Sequence, residues 1–108
     1  MNARYEHARR DRTRAEIARA LRVLAPKLPS HEFEAVLDHA VDSPGLRVAA
    51  AETAAWLALV AYARHTFTDY DELLRDAYGQ ESARFFVADE LAAVLRKWGV
   101  RRPLTPQD

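Results

Sequence analysis

One segment that is apolar at nearly every position constrains the fold more than any other feature. Residues 48–63, VAAAETAAWLALVAYA, contain only two polar side chains, Glu52 and Thr53. A helix that is apolar on all sides is usually buried on all sides. We therefore expect this segment to run through the centre of the domain or to present a face to a partner. Glu52 must then either pair with a base such as Arg64 or Arg84 or reach solvent.

The other apolar residues recur at helical spacing, and no run of four residues alternates as a half-buried strand does. A first helix is predicted from Thr13, a potential cap, to the breaker Pro26, and a second follows Ser30 and ends at the sequence DSPG. A fourth is expected over residues 69–78, with Gly79 as its left-handed stop, and a fifth from about Glu81 to Trp98, with Gly99 past its end. The core stripes of these helices are Ile17, Ala20, Leu21 and Leu24; Phe33, Val36, Leu37, Ala40 and Val41; Tyr70, Leu73, Leu74 and Ala77; and Ala83, Val87, Leu91, Val94, Leu95 and Trp98.

These patterns predict an all-α fold, a compact single-domain bundle of about five helices with a largely buried central helix over residues 48–66. A chain of 108 residues has the length of one domain. We divide it into a basic arm (1–12) that is either helical or disordered, a helical domain (13–99) and a basic tail (100–108). Cysteine is absent, and neither a secretory leader nor a membrane-spanning run is evident. We therefore expect a cytoplasmic protein that has no membrane contact.

Charge is segregated along the chain although the formal net charge is zero. Residues 1–27 carry a net charge of +5, residues 28–95 of −8 and residues 96–108 of +3. Basic arms neutralise phosphates and gain affinity from counterion release, so we predict DNA or RNA binding. A solvated helix face that keeps the protein soluble is the alternative. The predicted contact residues are Arg4, Arg9, Arg10, Arg12, Arg14, Arg101 and Arg102.

The stretch ARHTFTDYDELL, residues 63–74, concentrates bases and acids between two apolar segments. Its simplest interpretation is a corner between helices, in which Thr68 and Asp71 form a capping box and the bases face a helix C-terminus. The alternative is a phosphodiester-type hydrolase. There His65 is the acid or base, Asp69 or Asp71 orients it, and Arg64 holds the anion. The four histidines, His7, His31, His39 and His65, form no metal motif, and we predict no metal and no cofactor.

The order RH, two residues, T, one residue, YD, one residue and LL, followed by AR and a terminal W, resembles the pattern of the uncharacterised DUF2293 family. The resemblance covers about residues 56–99. It implies an intracellular helical domain and no particular reaction. Its motif positions are Arg64, His65, Thr68, Tyr70 and Asp71, with Ala83, Arg84 and Trp98 matched less specifically.

The function that the sequence favours is that of a small helical binding module without enzymatic activity. Nucleic acid is the leading ligand, held by the basic arm and tail. A protein-interaction module is the first alternative, in which the apolar third helix forms a homodimer or docks on another protein. The hydrolase at the Arg64 and His65 corner is the second.

Overall fold

The computed structural model describes the backbone of residues 3–108 and the side chains from Arg9 onward. Within this range all regular structure is helical, so the predicted all-α class is confirmed. One helix more than predicted is present because Pro44, well suited to a first helical turn, starts a single turn after the second helix. The helices are α1 (Ala3–Leu24), α2 (Ser30–Asp42), α3 (Pro44–Arg47), α4 (Ala51–Phe67), α5 (Tyr70–Arg75) and α6 (Gln80–Lys97).

Helix α4 is the centre of the bundle, as predicted, and α1, α2 and α6 pack around it. Most of its core positions are small, which lets the neighbouring helices approach closely and enclose Trp56 and Leu59. Its ends differ from the predicted ones: Val48 precedes the helix and is exposed, and the helix continues to Phe67. Glu52 lies exposed in the first turn and, among the described residues, pairs with neither Arg64 nor Arg84.

Helix α1 begins ten residues before the predicted start, so the predicted cap at Thr13 is wrong. The Thr13 hydroxyl instead donates to the Arg9 carbonyl oxygen at 3.0 Å, as a threonine inside a helix does. The predicted core stripe is confirmed, with Ile17 and Leu21 fully buried. The basic arm is therefore continuous with the first core helix from Ala3 onward.

The end of α5 corrects a prediction about glycine. Gly79 has an ordinary φ of −71° and precedes α6, whereas Ala77 takes the left-handed conformation with φ of 70°. The Tyr78 N–H donates to the Leu73 carbonyl, which closes α5 as a Schellman motif with alanine at the position that glycine usually occupies. The helix is consequently shorter than predicted, and Ala77 is exposed.

The C-terminal segment folds back onto the core. Gly99 ends α6 with φ of 86°, as predicted, and the Lys27 N–H donates to the Trp98 carbonyl at 2.9 Å. Val100 is buried and Leu104 packs against the main core cluster. No helix in the described range has both the length and the hydropathy that crossing a bilayer requires.

Candidate functional site

The corner between α4 and α5 is held by side-chain contacts that differ from the predicted capping box. The Thr68 hydroxyl donates to the Arg64 carbonyl at 2.5 Å and accepts the Tyr70 N–H at 3.2 Å, two residues ahead rather than three. Asp71 does not reach back to Thr68; its Oδ1 lies 2.6 Å from Nδ1 of His65. The capping-box prediction is therefore wrong, because the imidazole of His65 offers this carboxylate a closer partner.

An open groove of about 590 Å³ lies beside this pair. His65, Asp69 and Asp71 line it together with Arg75, but Arg64 does not. The structure thus brings together three of the four residues considered for a hydrolase. Within this set the Asp71 carboxylate orients His65, and both side chains are about half exposed. Among the described residues, no group of three or more potential ligands is placed to hold a metal ion.

Arg64 points away from that groove and contributes to a second cleft of about 560 Å³. This cleft lies between the end of α4, the first half of α6 and the C-terminal segment. Arg84, from α6, shares it with Arg64. Its other lining residues include Glu81, Phe85, Phe86, Leu91, Leu104 and Asp108.

The two guanidinium groups of this cleft lack the partners that buried charges usually have. Arg64 is only 6% exposed and is the one charged side chain buried in the described range. The Nε atoms of Arg64 and Arg84 are both buried, and neither has a hydrogen-bond partner among the described residues. Burial, followed by the positive charge of Arg84, lowers the pKa of Arg64. The Arg64 guanidinium makes a cation–π contact with Tyr70, in which Cζ lies 5.5 Å from the ring centroid.

Asp108 fixes the wall of the cleft that the C-terminal segment forms. Its carboxylate accepts the Trp56 indole N–H at 2.9 Å and the Thr105 backbone N–H at 2.7 Å. Burial raises the pKa of this carboxyl, but hydrogen bonds from Trp56 and Thr105 outweigh that effect and hold the pKa below its ordinary value. From the same C-terminal segment, the Cζ atom of Arg102 lies over the Trp56 ring, 4.2 Å from its centroid.

The arginines predicted to bind nucleic acid differ in how far they are engaged. Arg9, Arg10 and Arg12 are exposed on α1, and no ion pair links them to other described residues. Arg14 joins α1 to α2, with Nη2 2.8 Å from Glu34 and Nη1 2.9 Å from Asp38. The hydrogen bond to Asp38 is the main reason that the pKa of Arg14 is raised, although burial opposes it.

The remaining predicted contacts lie elsewhere. The side chain of Arg4 lies outside the described residues, Arg101 is exposed, and Arg102 is exposed while stacked on Trp56. The backbone hydrogen bond from Lys27 to Trp98 joins the segment just after α1 to the end of α6, where the tail begins. Since a helix rises 1.5 Å per residue, Arg12 lies about 18 Å along the axis from Leu24. The contact therefore brings the tail to the opposite end of α1 from the arm.

Sequence reasoning missed the cleft because its residues come from three separate parts of the chain. By its position in sequence Arg64 belongs to the His65 corner, but adjacent residues on a helix point about 100° apart. The sequence indicates Arg84 only as a motif position and as a potential partner of Glu52. The one available signal was the pair of motif arginines, RH and AR, twenty residues apart.

A family model described as an uncharacterized conserved protein (DUF2293) matches residues 20–99. Comparison with curated proteins and with solved structures gave no match. The matched range contains α2 to α6, the His65 groove and both arginines of the cleft, whereas Arg9, Arg10 and Arg12 precede it.

Proposed function

The chain belongs to the DUF2293 family, and we propose that it is a nucleic-acid-binding protein that contacts the phosphate backbone through the N-terminal half of α1. The observation that carries this proposal is the state of Arg9, Arg10 and Arg12. All three are exposed on one continuous helix, and none is neutralised by a described acidic side chain. Exposed arginines of this kind exchange condensed counterions for phosphate contacts.

Neighbouring positions on α1 support a contact of limited size. Arg9 and Arg12 are three residues apart and lie on adjacent parts of one face. Arg14 is held by Glu34 and Asp38, so we exclude it from the proposed contact surface. The acidic middle of the chain repels a polyanion, which restricts the contact to the exposed arginines of the arm.

The other functions considered from the sequence have less support. A homodimer through α4 needs an apolar face that is free, but α1, α2 and α6 cover this helix, and its exposed large apolar residues are Leu57 and Phe67. A hydrolase at the corner lacks Arg64 beside His65. A cytoplasmic location stays a prediction from the sequence.

Fluorescence anisotropy with labelled duplex DNA, single-stranded DNA and duplex RNA at low salt tests the proposal. The variant Arg9→Gln/Arg12→Gln removes two exposed charges with little change in helix propensity. Arg47→Gln/Arg75→Gln is the matched control, because it changes the net charge equally and lies outside the proposed contact. We expect the first variant to bind at least about tenfold more weakly than the control, in line with two lost charged contacts.

Two outcomes would contradict the proposal. In the first, the wild-type protein binds none of the three polymers at low salt. In the second, both double variants weaken binding equally, which would mean that total charge rather than the α1 arginines determines affinity.

A further inference from the structure

Two like charges share the cleft between α4, α6 and the C-terminal segment, and no described acidic side chain forms an ion pair with either of them. Removing a guanidinium from water is costly unless a counter-charge or hydrogen-bond acceptor replaces the lost solvation. Arg64 and Arg84 have neither at their buried Nε atoms, and they repel each other. A fold that keeps two such groups together is stabilised by any anion that enters between them.

The acidic residues of the cleft offset the two positive charges only in part, through the longer-range attraction between Asp108 and Arg64. Asp108 is oriented by its bonds to Trp56 and Thr105 and forms no ion pair with either arginine. Glu81 is exposed at the start of α6 and also remains unpaired within the described range. Both carboxylates line the cleft, but each lies beyond ion-pair distance of the two guanidinium groups.

We propose that this cleft is a binding site for a small phosphate monoester with an apolar, ring-containing body, whose phosphate lies between Arg64 and Arg84. The site is separate from the α1 surface proposed to bind nucleic acid and does not depend on it. Arginine side chains bind phosphate oxygens through paired N–H donors. A monoester carries close to two negative charges at neutral pH and therefore matches two guanidinium groups, whereas a carboxylate neutralises only one.

The walls of the cleft determine the rest of the ligand. Leu91 and Leu104 supply apolar surface, and Phe85 and Phe86 are 78% and 60% exposed at its edge. The two phenyl rings lie edge to face with centroids 5.9 Å apart, and their exposed surface can contact an aromatic ligand. A volume of about 560 Å³ is within the range of pockets that enclose small organic ligands.

Calorimetric titration with phenyl phosphate, inorganic phosphate and benzoate tests the proposal on the whole protein. We expect one saturable site for phenyl phosphate, weaker binding of inorganic phosphate because it lacks the ring, and weaker binding of benzoate because it carries one charge. Arg84→Met should weaken phenyl phosphate binding at least about tenfold, whereas the control Arg96→Met, an exposed arginine of the same helix, should not change it.

A measurement on the unmodified protein covers the case in which Arg84→Met does not fold. The Nε–Hε resonances of Arg64 and Arg84 should both shift as phenyl phosphate is added, while that of Arg96 stays in place. The proposal is overturned if phenyl phosphate fails to saturate at millimolar concentration, if benzoate binds more tightly, or if the shifts occur at Arg96 instead.

Discussion

The indole N–H of Trp56, in the second turn of α4, donates to the side-chain carboxylate of Asp108 at 2.9 Å. This bond joins the centre of the core to the C-terminal segment, and the Arg102 guanidinium lies over the same ring. The segment that the sequence indicates as a basic tail is thus packed against the domain. It forms one wall of the cleft that contains Arg64 and Arg84.

Replacing Asp108 should destabilise the protein. Asp108→Ala leaves the buried Trp56 N–H without its acceptor, which costs about 1–3 kcal/mol. For a domain of this size each 1 kcal/mol lowers Tm by roughly 4–8 °C. Thermal unfolding followed by circular dichroism measures the change, with Asp89→Ala, at an exposed position of α6, as the control. A fall no larger than that of the control would contradict the role given to this bond.

The contribution of Asp108 should depend on pH in a defined direction. Its pKa in the folded protein lies below the ordinary 3.8, so folding favours the ionised carboxylate. The stabilisation is present above the pKa of the unfolded chain and is lost as the pH falls through the lower folded value. The difference in Tm between wild type and Asp108→Ala should therefore be full at pH 7 and shrink below about pH 4. A difference that grows in acid would contradict this assignment.

Two glycines of the same chain should respond oppositely to alanine. Gly99 has φ of 86°, and a Cβ there would lie 3.0 Å from Cγ of Pro26, whereas a Cβ at Gly45 meets no atom within 4 Å. Gly99→Ala should cost about 1–2 kcal/mol or more from the left-handed backbone alone. Gly45→Ala, within the short helix α3, should be neutral or stabilising by about 0.5–1 kcal/mol. Chemical denaturation of both variants measures the contrast, and equal losses would contradict it.

The His65 and Asp71 pair should contribute little to stability. Its Nδ1 and Oδ1 atoms lie 2.6 Å apart, but the side chains are 52% and 46% exposed, and exposed polar pairs contribute about 0.2–1 kcal/mol whether hydrogen-bonded or ionic. A double-mutant cycle of His65→Ala and Asp71→Ala by urea unfolding should give a coupling energy within that range. A coupling well above it would mean that the corner is a major structural element.

Fold class, the central helix and the core stripes other than Ala77 could be predicted because they depend on apolar spacing, which tertiary contacts reinforce. The predictions of a helix cap at Thr13 and of a left-handed stop at Gly79 were wrong. The predicted cap gave way to a longer helix, and Leu73 and Leu74 closed α5 on Ala77 instead. These local signals are worth about 1 kcal/mol each, so packing elsewhere readily overrides them.

The candidate sites could likewise be predicted only in part. Exposed arginines on α1 could be predicted from charge alone, because a polar helix segment has no core to enter. The ion pairs of Arg14 with Glu34 and Asp38 could not be predicted, because those acids belong to α2 and contact Arg14 only after the two helices pack. The same holds for Arg64 and Arg84, which the packing of α4 against α6 brings into one cleft.

The salt dependence of DNA binding tests the proposed function most directly, because it counts phosphate contacts. The slope of log affinity against log salt concentration is measured on one duplex for the wild type and for Arg9→Gln/Arg12→Gln. Each phosphate contact contributes about −0.9 to the slope on duplex DNA. The wild-type slope should therefore be steeper than that of the variant by about 1.8. Identical slopes for the two proteins would contradict the account.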